Sequence, residues 1–320
     1  MPLTLRRPSA PLRPTVPPPP AVMLFLDDFC GGLCHCLVSQ GQTVRLGEPV
    51  GSSSCGAAVH APISGVVRAV GSGALVIEND FQNTPDWRIE PLACLEDAEA
   101  SHLLARLACS GLLTADFTPL PQRLEPCHAL ALAVLTQEDY LLFSALTQSI
   151  FGGLRALARL VRPRRLLLFH DPRCAPVSRA ARALCFPGEL IEVDGTAPQL
   201  NRRLTGRSLE RGVTLGDLGC LVFSPQGAAA LFDAIYLGQP HLKTTVVLLG
   251  PGGGPPAVCT VPLGTSLAHL LTQTRRSAPT VLQGVEKCGR ILRSHNAPLT
   301  KTDKVFTCLS GPALTPAGRG

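Results

Sequence analysis

Between residues 41 and 79 the sequence GQTVRLGEPVGSSSCGAAVHAPISGVVRAVGSGALVIEN repeats one pattern, and no other stretch limits the fold as much. Each copy sets glycine where the backbone has to turn tightly and β-branched residues where a strand packs: Gly41, Val44, Gly47 and Val50, then Gly65, Val66, Val67, Val70 and Gly71. Two such halves predict one small quasi-symmetric β-sandwich, a barrel-sandwich hybrid. Folds of this kind also carry biotin or lipoic acid on a hairpin lysine. Here no lysine precedes Lys243, and the tip reads Val59, His60, Ala61, Pro62. A swinging arm needs an amine to acylate, and the permanently charged guanidinium of arginine does not supply one. The module is therefore read as docking or structural. His60, on the predicted turn, is read as capping the hairpin rather than as a ligand or proton donor.

The rest of the chain divides by texture. A proline-rich arm covers residues 1–22 and includes the P-x-x-P stretch Pro11, Leu12, Arg13, Pro14, which favours polyproline II. It is read as an arm lying on the surface, with a partner-domain ligand as the second reading. The sandwich is assigned to 23–92. Residues 93–240 alternate predicted helices and strands: a helix over 95–109, a buried strand at 129–135, a long helix over 140–161, a strand at 164–169, a helix at 178–184, extended chain at 189–193, a strand at 218–223 and a small-residue helix at 227–237. This alternation predicts a Rossmann-like α/β sheet covered on both faces. Over 241–295 a hairpin, 244–249 and 257–261, precedes a helix at 265–272, which fits a β-grasp domain. Residues 296–320 are expected to form a tail. The predicted fold class is α/β multi-domain, with sandwich, Rossmann-like and β-grasp (SLBB) units in a row.

Composition excludes several function classes. The longest apolar runs, 129–135 and 245–249, fall short of the ~18 residues that cross a bilayer, and prolines occupy the place of a signal-peptide core behind Arg6 and Arg7. A cytoplasmic protein, peripheral to any membrane it meets, is expected. The net charge of +6 comes from 25 arginines and four lysines, with a group at Arg155, Arg159, Arg162, Arg164 and Arg165. With 4% aromatic residues there is no interleaving of bases and rings for nucleic acid, so none is expected as a partner. The second reading of the basic group is a face toward anionic lipid or an acidic redox partner. The 13 cysteines contain no C-x-x-C, hence no run that wraps a 4Fe-4S cluster. Cys30, Cys34, His35 and Cys36 form the tightest group, and they are read as small core residues rather than metal ligands. Ser224 lacks the G-x-S-x-G elbow, and Gly250–Gly254 runs into Pro255 and Pro256, which remove the amides a phosphate would need. No catalytic residue is assigned.

Four stretches together resemble the RnfC family, the C subunit of the Rnf membrane electron-transport complex: 38–81, including VHAPISGVV and VIEND; 204–249, beginning LTGRSLERG; PLGTSLAHLL at 262–271; and APLTKTDKVFTC at 297–308. That family shares its core with the flavin-bearing subunit of respiratory complex I and with cobalamin and proline reductase electron-transfer proteins. The resemblance implies placement in a membrane redox complex, with its other subunits as partners and the cytoplasmic face of the inner membrane as location. It also implies an FMN site. In the family a glycine-rich loop ending in G-F-P-T and a lysine cradles the flavin phosphate, because bare amides approach an anion where side chains are absent.

The matching stretch here, Ser110 to Leu124, has one glycine, Gly111. Phe117, Thr118 and Pro119 keep part of the ending, and Arg123 stands in the lysine's place. A second family loop, which carries a glutamate, reads Gly195, Thr196, Ala197, and the acidic segment after the central strand is shortened to Gln137, Glu138, Asp139. SGLLT is similar to a segment of a subunit with eroded loops in the sodium-pumping quinone reductase. The chain is identified as a divergent member lacking the C-terminal iron-sulfur domain. The expected function is structural or docking, within an NADH- or ferredoxin-type oxidoreductase complex, with neither flavin nor clusters bound in the family manner. The alternatives are a flavin carrier that uses Gly111, Phe117, Arg123 and Gly206 for FMN, and a stand-alone ligand-binding module.

Overall fold

The computed structural model describes residues 11–310 apart from 28–32, 55, 97, 121–123, 125, 195–196, 207–209, 211–212, 251–254, 277 and 287–288. Its first unit is two small antiparallel sheets. One runs β1 (Ala21–Phe25), β7 (Ala74–Asn79), β6 (Gly65–Gly71), β3 (Thr43–Val44); the other runs β2 (His35–Cys36), β4 (Pro49–Ser52), β5 (Ala58–His60). Alternation decides the faces: Leu75 and Ile77 point inward from β7 and join Val44, Val50, Val59 and Val67 in one core. Gly65 is required where β6 crosses β7, since a Cβ there would sit 1.8 Å from the Glu78 carbonyl oxygen. His60, expected on the hairpin turn, instead ends β5 and is only 6% exposed.

The second unit is a four-stranded sheet in the order β10 (Glu189–Glu192), β9 (Arg165–His170), β8 (Ala129–Val134), β11 (Cys220–Phe223), with every pair parallel. Such a sheet must be covered on both faces, and β8 is accordingly buried at all six positions. The helices are α1 (Ala100–Ala108), α2 (Gln137–Val161), α3 (Ala175–Ala183), α4 (Ala197–Thr205) and α5 (Pro225–Tyr236). The helices α2 and α5 cross closely at Gly153, where a Cβ would meet the Ala228 carbonyl at 2.5 Å. By length and composition α2 would span a bilayer, yet half of that apolar window is buried in the protein, with Phe143, Ile150, Leu154 and Leu157 in the core.

The third unit carries β12 (Lys243–Leu249), β13 (Ala257–Pro262), α6 (Leu267–Gln273), β14 (Thr280–Gln283), β15 (Arg290–Ile291) and β16 (Val305–Leu309). The sheet order is β13-β12-β16-β14-β15, with β12 and β16 parallel and the other pairs antiparallel. A boundary at 295 would therefore remove the central strand, because Phe306 and Cys308 sit buried between β12 and β14. Five residues without an adjacent hairpin partner read as coil; the partners of β16 lie upstream, in β14 and β12.

The described part of the arm, from Pro11 onward, is docked. Leu12 pairs with the start of β13 through Leu12 N–H to Pro256 O and Val258 N–H to Leu12 O, both 2.8 Å, and Arg13 donates to the carbonyls of Ser144 and Ala145 in α2. Asn79 holds its far end, donating from Nδ2 to Pro19 O at 2.8 Å.

Candidate functional site

In a parallel α/β sheet the carboxyl ends of the strands are where ligands settle. The loop after α1 reaches that edge, and it closes on itself there. Leu113 and Pro119 pair across a turn; Thr114 N–H donates to Thr118 O at 3.0 Å, Phe117 N–H to Thr114 O at 3.0 Å and Leu120 N–H to Leu112 O at 3.0 Å. Ala115 N–H donates to Val222 O at 2.7 Å, which fastens the turn to β11. The Asp116 carboxylate accepts from the hydroxyls of Thr114 and Thr118, at 2.5 and 2.9 Å. Phe117 holds φ 63°, left-handed backbone that costs a side-chain-bearing residue about 1–2 kcal/mol and that the surrounding hydrogen bonds offset.

The adjoining turn between β8 and α2 is closed in the same way. Thr136 caps α2 and Asp139 completes a capping box: Asp139 N–H donates to Thr136 Oγ1 at 3.1 Å, while Asp139 Oδ2 accepts from Leu135 N–H at 3.2 Å and Thr136 N–H at 3.3 Å. The other carboxylate oxygen of this buried aspartate pairs with Lys304 Nζ at 3.3 Å, and so with the third unit. Asp139, in the shortened acidic segment, thus holds the helix start and a domain contact.

Among the residues expected to serve FMN, Gly111 and Phe117 share this loop at different depths. Gly111 is buried with φ +68°, and its neighbours are protein: a Cβ would meet Ala58 O at 2.3 Å and Lys301 Nζ at 2.9 Å. Gly206, after α4, is exposed with φ +75° and has nothing within 4 Å of where a Cβ would point. Arg123, Gly195, Thr196 and Cys30 lie outside the described residues. Cys34 is buried in the first core and its thiol reaches Ala57 O at 3.7 Å. Among the described residues no three His, Cys, Asp or Glu side chains converge on a metal-sized space.

A second polar centre lies where the three units meet. Lys301, from the loop before β16, donates to Ala58 O at 2.9 Å and Gly111 O at 2.8 Å, joining one group from each of the other units. His241 N–H donates to Ser110 O at 2.9 Å. His60 and His241 are both buried, and the Nδ1 of each has no hydrogen-bond partner. Burial, then the positive charge of Lys301, pushes both imidazoles down to about 3, so both rings are neutral at physiological pH. Gln226 ties α5 to the third unit, donating from Nε2 to the carbonyls of Thr245 and, at 2.8 Å, Asp303. Sequence reasoning assigned none of these roles. One signal was present: in a chain with 25 arginines and four lysines, two lysines fall close together in LTKTDK, and both bind across a domain boundary.

Residues 10–84 match the family model described as the RnfC barrel sandwich hybrid domain. The chain is 30% identical over 301 residues to the C subunit of the ion-translocating oxidoreductase complex of Pseudomonas aeruginosa, an alignment covering 83% of this chain and 38% of that protein. It is 24% identical over 287 residues to the C subunit of the Na(+)-translocating ferredoxin:NAD(+) oxidoreductase complex of Acetobacterium woodii, covering 80% of this chain and 65% of the other. The chain thus spans less than two thirds of the length of each. Among solved structures, an NAD+-reducing NiFe hydrogenase in the air-oxidized state aligns at 18% identity and a TM-score of 0.48, over 66% of this chain and 46% of that one.

Proposed function

We propose that this RnfC-like chain is a structural or docking subunit of an ion-translocating electron-transport complex, in which the family's flavin seat is closed. The reading of the second unit as Rossmann-like and of the third as β-grasp belongs to this proposal. It is supported by the four parallel strands and by the strand order in which the first and last strands of the third unit pair in parallel.

The loop from Gly111 to Leu120 carries the proposal. A phosphate is held by amides that nothing else uses, and here Thr114, Ala115, Phe117 and Leu120 all donate to carbonyls of the protein. Asp116 adds a carboxylate at the turn, and a phosphate within ~5 Å of it meets roughly 1–3 kcal/mol of repulsion. The start of α2, a second place where an anion could settle, is occupied by its own Asp139 and carries Glu138 beside it. A flavin mononucleotide does not fit these residues. What remains is a rigid three-unit body, fastened by Lys301, Lys304 and Gln226, with a first unit free to contact other subunits.

Co-expression of the full chain with the other subunits of such a complex tests this. Retention in the purified assembly is expected. Glutamate at the exposed leucines of the first unit, Leu33→Glu with Leu37→Glu (56% and 51% exposed), is expected to weaken retention about tenfold or more. Failure of the unmodified chain to associate with any subunit contradicts the docking role.

A further inference from the structure

A cleft of ≈ 460 Å³ opens where residues 87–90 leave the first unit and run past α1 and the end of α5. Its volume falls in the ~300–1,000 Å³ range of small-ligand sites, and domain junctions are where such sites concentrate. The walls are set by close contacts. A Cβ on Gly47 would lie 2.5 Å from Ile89 Cδ1, and one on Gly238 would lie 2.4 Å from Glu90 O. Leu92 N–H donates to Tyr236 O at 2.7 Å, holding the segment after residue 90 against the end of α5.

The lining has three chemical parts. Pro49, Ile89, Ala105 and Pro240 give it apolar surface. At the rim stands Trp87, 75% exposed, with the Arg88 guanidinium 4.5 Å over its ring. Deeper, His60 contributes an imidazole that is 6% exposed and whose Nδ1 has no partner. A buried ring nitrogen left unpaired costs about 1–3 kcal/mol, which a ligand supplying the missing contact would recover.

Charge narrows the ligand. Arg88, Arg106 and Lys301 bring three positive charges near the cleft; Asp86, paired with Arg88 at 2.8 Å, and Glu90 bring two negative ones. The difference is a single positive charge. Arg88 and Arg106 each hold one protein partner through Nη1, and a guanidinium has further N–H donors to offer.

We propose that this cleft binds a small aromatic monocarboxylate, its ring on the apolar wall beside Trp87 and its carboxylate accepting hydrogen bonds from the free edge of Arg88 and, once the His60 ring turns to bring it to the cleft wall, from Nδ1–H. Burial, then the charges of Lys301 and Arg88, keep the His60 ring neutral against the opposing pull of Asp86. Glu90 and the paired Asp86 disfavour a dianion. The site is separate from the closed loop at the sheet edge and does not depend on the docking role.

Trp87 is the only tryptophan in the chain, so indole fluorescence of the full protein reports on this rim alone. The probe is 3-phenylpropanoate, which does not absorb where indole is excited selectively. A saturable change with a dissociation constant on the order of 1 mM or tighter is expected, and at least ~10-fold weaker binding of 3-phenylpropanol, which lacks the charge. Ala105→Phe fills the cleft from an exposed position on α1, so it should abolish the response with an unchanged melting temperature. His60→Leu should bring the acid about tenfold toward the affinity of the alcohol while leaving the melting temperature unchanged or raised, because no hydrogen bond of Nδ1 is lost. No saturable response, equal affinity for acid and alcohol, or undiminished binding to the Ala105→Phe protein would each overturn the proposal.

Discussion

The loop at the sheet edge and the junction around Lys301 are built from the same material, and Gly111 belongs to both. Apart from the Ala115 N–H to Val222 O bond, donors and acceptors of the loop lie within a few residues of each other, as in Thr114 to Thr118 and Asp116 to Thr114, and the adjoining turn pairs Asp139 with Thr136 in the same way. At the junction they are far apart in sequence, Lys301 lying 243 residues from Ala58 and 190 from Gly111. Local pairing takes up the amides of Thr114, Phe117 and Leu120 and withdraws them from a ligand. Assembly from distant segments fixes the domains in place but leaves two histidine nitrogens unmatched. Lost ligand binding is thus visible as occupied amides, and retained capacity as orphaned polar atoms.

That contrast can be broken at Gly111. Gly111→Val meets a left-handed backbone and the Ala58 carbonyl together, and an unfolding loss of about 3–5 kcal/mol in denaturant titration is expected. A loss under ~1 kcal/mol would show the junction to be loose. Lys301→Met removes two charge-assisted hydrogen bonds at a half-buried site, and about 2–4 kcal/mol is the expected cost.

Acid should act on the junction and spare the loop. Folded-state values of about 3 for His60 and His241, against an ordinary 6.5, mean that the unfolded chain takes up protons first as pH falls. Stability is then full above pH ~6.5 and declines toward pH ~3, by at most about 1.4 kcal/mol per pH unit for each histidine. Thermal melts from pH 7.5 to 4 check this, and His60→Leu should lower the slope. The smallest effect is expected at the loop: Asp116→Asn keeps the turn, shifts stability by less than ~1 kcal/mol and still binds no phosphate. Phosphate binding to that variant would mean that charge alone, rather than occupied amides, closes the loop.

The elements with local signatures were legible in the sequence. The repeated glycine and valine pattern gave the first unit, and the buried runs read at 129–135 and 164–169 gave the central parallel strands, observed at Ala129–Val134 and Arg165–His170. The strand Val305–Leu309 was not legible, because its place between β12 and β14 is set by pairing across the whole third unit. His60 was misplaced for a related reason. Its neighbours Ala61 and Pro62 signal a turn, but how deeply such a segment is buried depends on which domains lie against it, and the third unit does so here. The loss of glycines between 110 and 124 could be read from composition. That its amides would be taken up by Thr114, Thr118 and Val222 needed three dimensions.

The central claim, that the loop from Gly111 to Leu120 no longer seats a flavin phosphate, is tested most directly by flavin content. The full chain is purified, incubated with excess FMN, passed through a desalting column and denatured, and the released flavin is measured against protein. A colourless protein that retains FMN far below one equivalent is the expected result. One equivalent of FMN retained and released on denaturation would contradict it.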